Sequence, residues 1–231
     1  MTTLPMWVGA LATVILAAVA VFQDRIRRWV MSPRLELRVR VAPPDCHYTI
    51  WRIQTPGQHP TTKEPVVIVR DLPCYYFRLG VMNSGKTEAR EVELFAAALK
   101  RKRGDGSFEE VPRFTPMSLL WAHVRTPNLP ILCPEMPKVC DMAHAIAPQY
   151  RKILGHNLPG VQDNKAILAF DLQVEPNMLG HLAEPGTYRL DLVLGAANVS
   201  PKRYTLEIIF PGEWFDDEAR MLRDGFRMRV V

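Results

Sequence analysis

Hydrophobic and polar residues alternate with a period of two along much of this chain, the pattern of strands with one buried face. Leu35, Leu37, Val39 and Val41 alternate with Glu36, Arg38 and Arg40. Val66 to Val69 form a short β-branched run. Cys74 to Met82 form a second strand that stops at the turn signal Asn83-Ser84-Gly85. Val92 to Leu99 leads through a basic run and Gly104-Asp105-Gly106 into Phe108 to Val111, which predicts a hairpin because glycine supplies positive φ. In the last third, Ala166 to Val174, Tyr188 to Leu194 and Tyr204 to Phe210 each alternate cleanly. Glu184-Pro185-Gly186 introduces the second of these, and Val199-Ser200-Pro201-Lys202 separates it from the third. Asp216-Asp217-Glu218 suits the start of a short helix, and Phe226, Met228 and Val230 a final strand.

Two stretches break this pattern. From Thr2 to Gln23 there is no charged side chain, and Met6 to Phe22 is apolar apart from Thr13. Counted from Leu4, a helix over residues 4–22 would be about 28 Å long, close to the roughly 30 Å of a bilayer core. Trp7 and Trp29 suit the two interfaces. A cleaved signal peptide competes through Ala18-Val19-Ala20, but its positive charge should precede the apolar core, and here it follows. The second stretch is residues 112–160, where closely spaced prolines predict short strands, Ser118 to Val124 among them, set in long loops.

These elements predict a mainly β protein. An N-terminal transmembrane anchor with a basic flank (residues 1–31) precedes one antiparallel β-sandwich of seven to nine strands (residues 32–231). A barrel is the other closed arrangement of such strands. The segment Tyr75-Tyr76-Phe77-Arg78-Leu79-Gly80-Val81-Met82-Asn83-Ser84-Gly85-Lys86-Thr87-Glu88-Ala89-Arg90-Glu91-Val92-Glu93-Leu94 resembles the strand-turn-strand unit of immunoglobulin-like adhesion-type modules of prokaryotic proteins. That resemblance, over about a tenth of the chain, implies a sandwich used for binding or spacing, without catalytic residues.

Charge adds direction. The chain carries +5 overall, of which the segment from Asp24 to Arg34 contributes +3 and Lys100-Arg101-Lys102-Arg103 contributes +4, leaving −2 elsewhere. Arg25, Arg27 and Arg28 follow the apolar run, so the positive-inside tendency places the domain in the cytoplasm. With Trp29 and Lys100, Arg101, Lys102 and Arg103 they form the candidate contacts to an anionic membrane surface. A charged hairpin tip that discourages edge pairing is the plainer reading of the second cluster. Nucleic acid is a poor fit, since no aromatic residues interleave with the charges. Gly9, Ala10, Ala12, Ala17, Ala18 and Ala20 would permit helix pairing within a membrane, hence a homo-oligomer.

Chemistry is sparse. Cys133, Cys140, His144 and His156 are the one metal-capable grouping, but their spacing lacks the close pair that preforms half a zinc site. No G-x-S-x-G or phosphate-cradling loop occurs. The sequence therefore predicts no cofactor and a non-enzymatic, membrane-anchored interaction or scaffold module with an unidentified protein partner. The rivals are an extracytoplasmic ligand-binding sandwich and a membrane-tethered enzyme using the Pro-rich loops.

Overall fold

The computed structural model describes residues 9, 11–17, 19, 31–58 and 61–231. About half of the proposed membrane anchor, residues 4–22, lies outside them, as do Arg25, Arg27, Arg28 and Trp29. Among the described residues no helix is long and apolar enough to cross a membrane.

The alternating segments fold into two antiparallel sheets with the core between them. In the first sheet, β1 (Leu35–Arg38), β3 (Pro65–Asn83), β9 (Lys138–Ile146), β10 (Leu168–Phe170) and β11 (Leu182–Ala183) lie side by side. β2 (Cys46–Gln58) pairs with β3, and β7 (Leu120–Trp121) with β9. In the second, β14 (Arg227–Val230), β13 (Val199–Phe210), β12 (Gly186–Ala196), β4 (Ala89–Lys102) and β5 (Phe108–Glu110) follow in order. β6 (Met117–Ser118) and β8 (Asn128–Leu132) also pair with β4. A mainly β fold with two facing sheets thus stands as expected.

The core follows from the alternation. Leu190, Leu192 and Leu194 of β12 and Leu206, Ile208 and Phe210 of β13 turn inward, and all are buried. Phe77 from the first sheet stacks on Phe226, with ring centroids 3.7 Å apart and planes inclined by 11°. Buried Trp121 donates its indole N–H to the Val92 carbonyl at 3.2 Å, so its one polar atom is satisfied.

The Tyr75–Leu94 segment forms two strands joined by a turn, but the turn crosses from one sheet to the other. Asn83, fully buried, holds it. Its amide donates to the carbonyls of Thr87 (2.7 Å) and Leu132 (3.0 Å), and its Oδ1 accepts from the Arg34 and Gly85 amides, both at 3.0 Å. Residues 31–34 enter against this turn. A Cβ on Gly85 would sit 2.5 Å from the Ser32 carbonyl, so the close approach requires glycine.

Several expectations are corrected. The two runs at Val66–Val69 and Cys74–Met82 are one strand of 19 residues, β3. Its partner β2, with 13 residues, was not anticipated. The region 112–160 holds the expected short strands in β6, β7 and β8, but it also supplies the nine-residue β9, which runs through the middle of the first sheet. Ser118 to Val124 supplies only the short pairings of β6 and β7. The Ala166–Val174 alternation yields only the three residues of β10, and Val199 to Lys202 belong to β13 rather than to a separating turn. The hairpin at Gly104–Gly106 forms with Gly106 at φ 88°, and Asp217 caps the short helix Glu218–Arg220.

Candidate functional site

The outer face of the first sheet carries a second, polar layer. Its geometry begins with a bulge in β9. Phe77 pairs with Ala143, but Arg78 pairs with Asp141, so Met142 is an extra residue. Without it, Asp141 and His144 would face opposite sides; with it, both point outward beside Arg78 and Tyr76.

Around them lies a chain of polar groups, buried or nearly so apart from Arg125. Arg78 donates from Nε to Asp141 Oδ1 at 2.6 Å. Arg125, held at φ 55° in a conformation uncommon for a residue with a Cβ, brings its guanidinium within 3.8 Å of Asp141 and 3.5 Å of Asp171. His144 Nδ1 lies 3.1 Å from Asp171 Oδ2. A carboxylate there fixes the ring with its proton on Nδ1 and its lone pair on Nε2. That Nε2 is buried without a hydrogen-bond partner among the described residues.

Two further histidines reach the same place. After the 3-10 turn Pro148–Leu154, Gly155 adopts φ 71° and ends the turn, delivering His156. The fully buried Arg151 fastens this loop by donating to the carbonyls of Lys165 (2.8 Å) and Val161 (3.0 Å). His181 precedes β11, next to Gly180. A Cβ on Gly180 would sit 1.8 Å from the Arg113 carbonyl, so glycine alone permits this approach. The His144 and His156 ring centroids are 5.3 Å apart, and those of His156 and His181 6.2 Å. Burial, reinforced by the neighbouring imidazoles, pushes His156 down to about 3, and burial also lowers His181. Trp51 and Tyr76 wall the cluster, 5.2 Å and 5.6 Å from His144.

Of the sequence candidates, the structure brings together His144 and His156 only. Cys140 points to the opposite face of β9, its thiol donating to the Leu120 carbonyl at 3.2 Å, and Cys133 is exposed on a loop. The Cys133, Cys140, His144 and His156 set is therefore not one site. Among the described residues no three His, Cys, Asp or Glu side chains stand ready arranged around a metal. His181 and Asp171 were missed. No spacing motif links positions 144, 156, 171 and 181. The available hint was that three of the six histidines fall within residues 144–181.

The basic run lies at the far end of β4 from Ala89, and hence from where residues 31–34 enter. Lys100 pairs with Asp191 (2.7 Å), Arg101 with Glu184 (2.9 Å), and Arg103 with Glu109. Three of its four charges are thus neutralised within the domain.

A different surface stands open. β9 pairs with β3 only from Cys74 onward, so from Pro73 to Pro65 the β2–β3 pair continues as a two-stranded ribbon. One face of that ribbon prolongs the inner face of the first sheet beyond the second sheet. It presents Tyr48, Ile50, Val67 and Val69 to solvent; Val67 is 64% exposed. A bidentate Arg52–Asp71 pair, at 2.6 and 2.8 Å, crosses the middle. The other face, with Trp51 and Ile53, packs at its root on Leu72, Cys74, Ile146, Tyr150 and Leu154.

No family model, curated protein or solved structure matches this chain.

Proposed function

We propose that this protein is a non-enzymatic interaction module that offers the β2–β3 ribbon to a protein partner. The observation that carries this reading is the apolar strip of Tyr48, Ile50, Val67 and Val69 on a sheet face that, among the described residues, no second layer covers. Apolar side chains aligned on one face of a two-stranded ribbon gain nothing within the chain, whereas a partner laid over them removes that area from water. The ribbon is also a pairing edge, since among the described residues β2 has hydrogen-bonded neighbours on one side alone.

The apolar run 4–22, on sequence grounds, tethers the module to a membrane, and the Arg25, Arg27 and Arg28 cluster orients it toward the cytoplasm. All four cysteines are free, three of them buried, which suits a reducing compartment. Such a tether raises the effective concentration of the ribbon for a neighbouring partner.

A photo-crosslinking residue placed at Val67 of the full-length protein, in its own cells, tests the reading against a control at exposed Arg203. The expected result is a discrete adduct at position 67, absent at 203 and lost when Val69→Glu is added. Equal labelling from both positions, or none from 67, would overturn it.

A further inference from the structure

Two facing sheets leave a gap along each side, and on one side here that gap is a cleft. β11 is the last strand of the first sheet and β5 the last of the second. Where they part, a cleft of about 280 Å³ lies between the sheet edges. Leu158, Leu179 and Leu182 line it from the side of the first sheet, and Leu99, Val111 and Tyr188 from the side of the second.

The walls are held at this separation. A Cβ on Gly180 would sit 1.8 Å from the Arg113 carbonyl oxygen, so the backbones of the two sides already touch there and can come no closer. Tyr188 donates its hydroxyl to the Glu184 carbonyl at 2.8 Å. Arg101 donates to the Glu184 carboxylate at 2.9 Å and to the Pro185 carbonyl at 3.2 Å. A preformed apolar cleft leaves its lining atoms short of contacts until something fills it.

Charge narrows what can enter. Arg101, Arg113 and Glu184 are the charged residues of the lining. Arg101 and Glu184 neutralise each other. Arg113 is exposed, and among the described residues no carboxylate forms an ion pair with it. The cleft therefore combines apolar walls with one uncompensated guanidinium.

We propose that this cleft binds a small organic monocarboxylate, its apolar body between the leucines and its carboxylate at Arg113. Size sets the class. A dry cavity of about 150 Å³ holds benzene, so this one takes a molecule of about 11 non-hydrogen atoms. A two-chain membrane lipid is far too large. The planar guanidinium fork matches a carboxylate bidentately. One net positive charge suits a monoanion, whereas Glu184 would oppose a phosphate dianion. Met178 also lines the cleft while 68% exposed, an unbranched side chain able to fold over what enters. The inference is independent of the ribbon, because β2 is separated from β11 by β3, β9 and β10.

The test titrates 3-phenylpropionate, which has the required size, into full-length protein held in nanodiscs of zwitterionic lipid, with empty nanodiscs as the blank. Calorimetry should show saturable binding of one molecule per chain, and the melting temperature should rise with the acid. The isosteric 3-phenylpropanamide lacks the charge and should bind about 10-fold more weakly. Arg113→Gln should weaken the acid about 10-fold and abolish its advantage over the amide. Since Arg113 is exposed, that variant should melt with the wild type when no ligand is present. The acid–amide comparison needs no substitution, so it decides the matter by itself. No saturable binding up to about 10 mM, an amide that binds as tightly as the acid, or unchanged affinity in Arg113→Gln would each overturn the assignment.

Discussion

Replacing Arg78 with methionine tests how the polar layer is held together. Asp141 is almost wholly buried, its side chain 3% exposed, and its short bond to Arg78 is its principal partner. Arg125 is farther away, at 3.8 Å, and half in solvent. Methionine keeps the apolar stem beside Tyr76 but removes the charge. Two unit charges about 4 Å apart at an effective dielectric of about 20 are worth about 4 kcal/mol. Breaking one side of a buried pair costs about 3–5 kcal/mol. With Arg125 still present, the lower end applies, and we expect Arg78→Met to lose about 3 kcal/mol at pH 8.

The loss should depend on pH in a definite sense. Burial already raises Asp141 above the ordinary carboxylate range although Arg78 pulls it down, so losing Arg78 raises it further. The folded variant then holds a proton at a pH where the unfolded chain has released it. Its stability is present below the unfolded carboxylate's range and falls as pH climbs through the raised folded value. Urea unfolding of wild type and variant at pH 5 and pH 8 measures this directly. The variant's deficit should shrink at pH 5 by about 1.4 kcal/mol for each unit by which the variant's Asp141 lies above both that pH and the wild-type value. A deficit under about 1 kcal/mol at pH 8, or one equal at both pH values, would refute the account of Asp141 as a buried charge needing Arg78.

Phe226→Ala should cost about 3–5 kcal/mol in the same assay, because the ring stacked on Phe77 is fully buried and its removal opens a cavity between the sheets. In the native protein a thiol reagent should modify Cys133 quickly and the other three cysteines only on unfolding. Cys46, Cys74 and Cys140 are buried, and burial raises all three, Cys46 to about 11. Fast modification of more than one thiol would contradict that.

How far the sequence is legible depends on what covers each strand. β12 and the Tyr204–Phe210 part of β13 read correctly because each has one face in the core and one in water, so Leu190 and Leu192 stand out against Arg189 and Asp191. β9 does not, because it is covered on both faces. Cys140, Met142, Ala143, Ala145 and Ile146 are all buried, as are Asp141 and His144 on the outer side. A strand buried on both sides shows no alternation, and two polar residues within it look like loop. β2 fails for the opposite reason. Beyond its first residue none of it is fully buried, its exposed face carries Tyr48 and Ile50 so that no alternation shows, and Pro56-Gly57 reads as a break. The histidine cluster was half visible: His144 and His156 were candidates, but the cysteines grouped with them by proximity in sequence point elsewhere. Only the bulge at Met142 and the loops after Leu154 and before Leu182 decide which polar residues meet.

The length of β3 has a consequence for electrostatics. Its far end, Pro65, is 18 residues from Asn83, the end at which residues 31–34 enter, a contour of about 60 Å at roughly 3.3 Å per residue. At physiological ionic strength the Debye length is about 8 Å. Charges at the chain's entry point, including any on a bilayer there, are screened many times over before they reach the outer half of the ribbon. Contacts made at Val67 and Val69 would therefore be insensitive to lipid charge, and added salt should strengthen rather than weaken an association built on those apolar side chains.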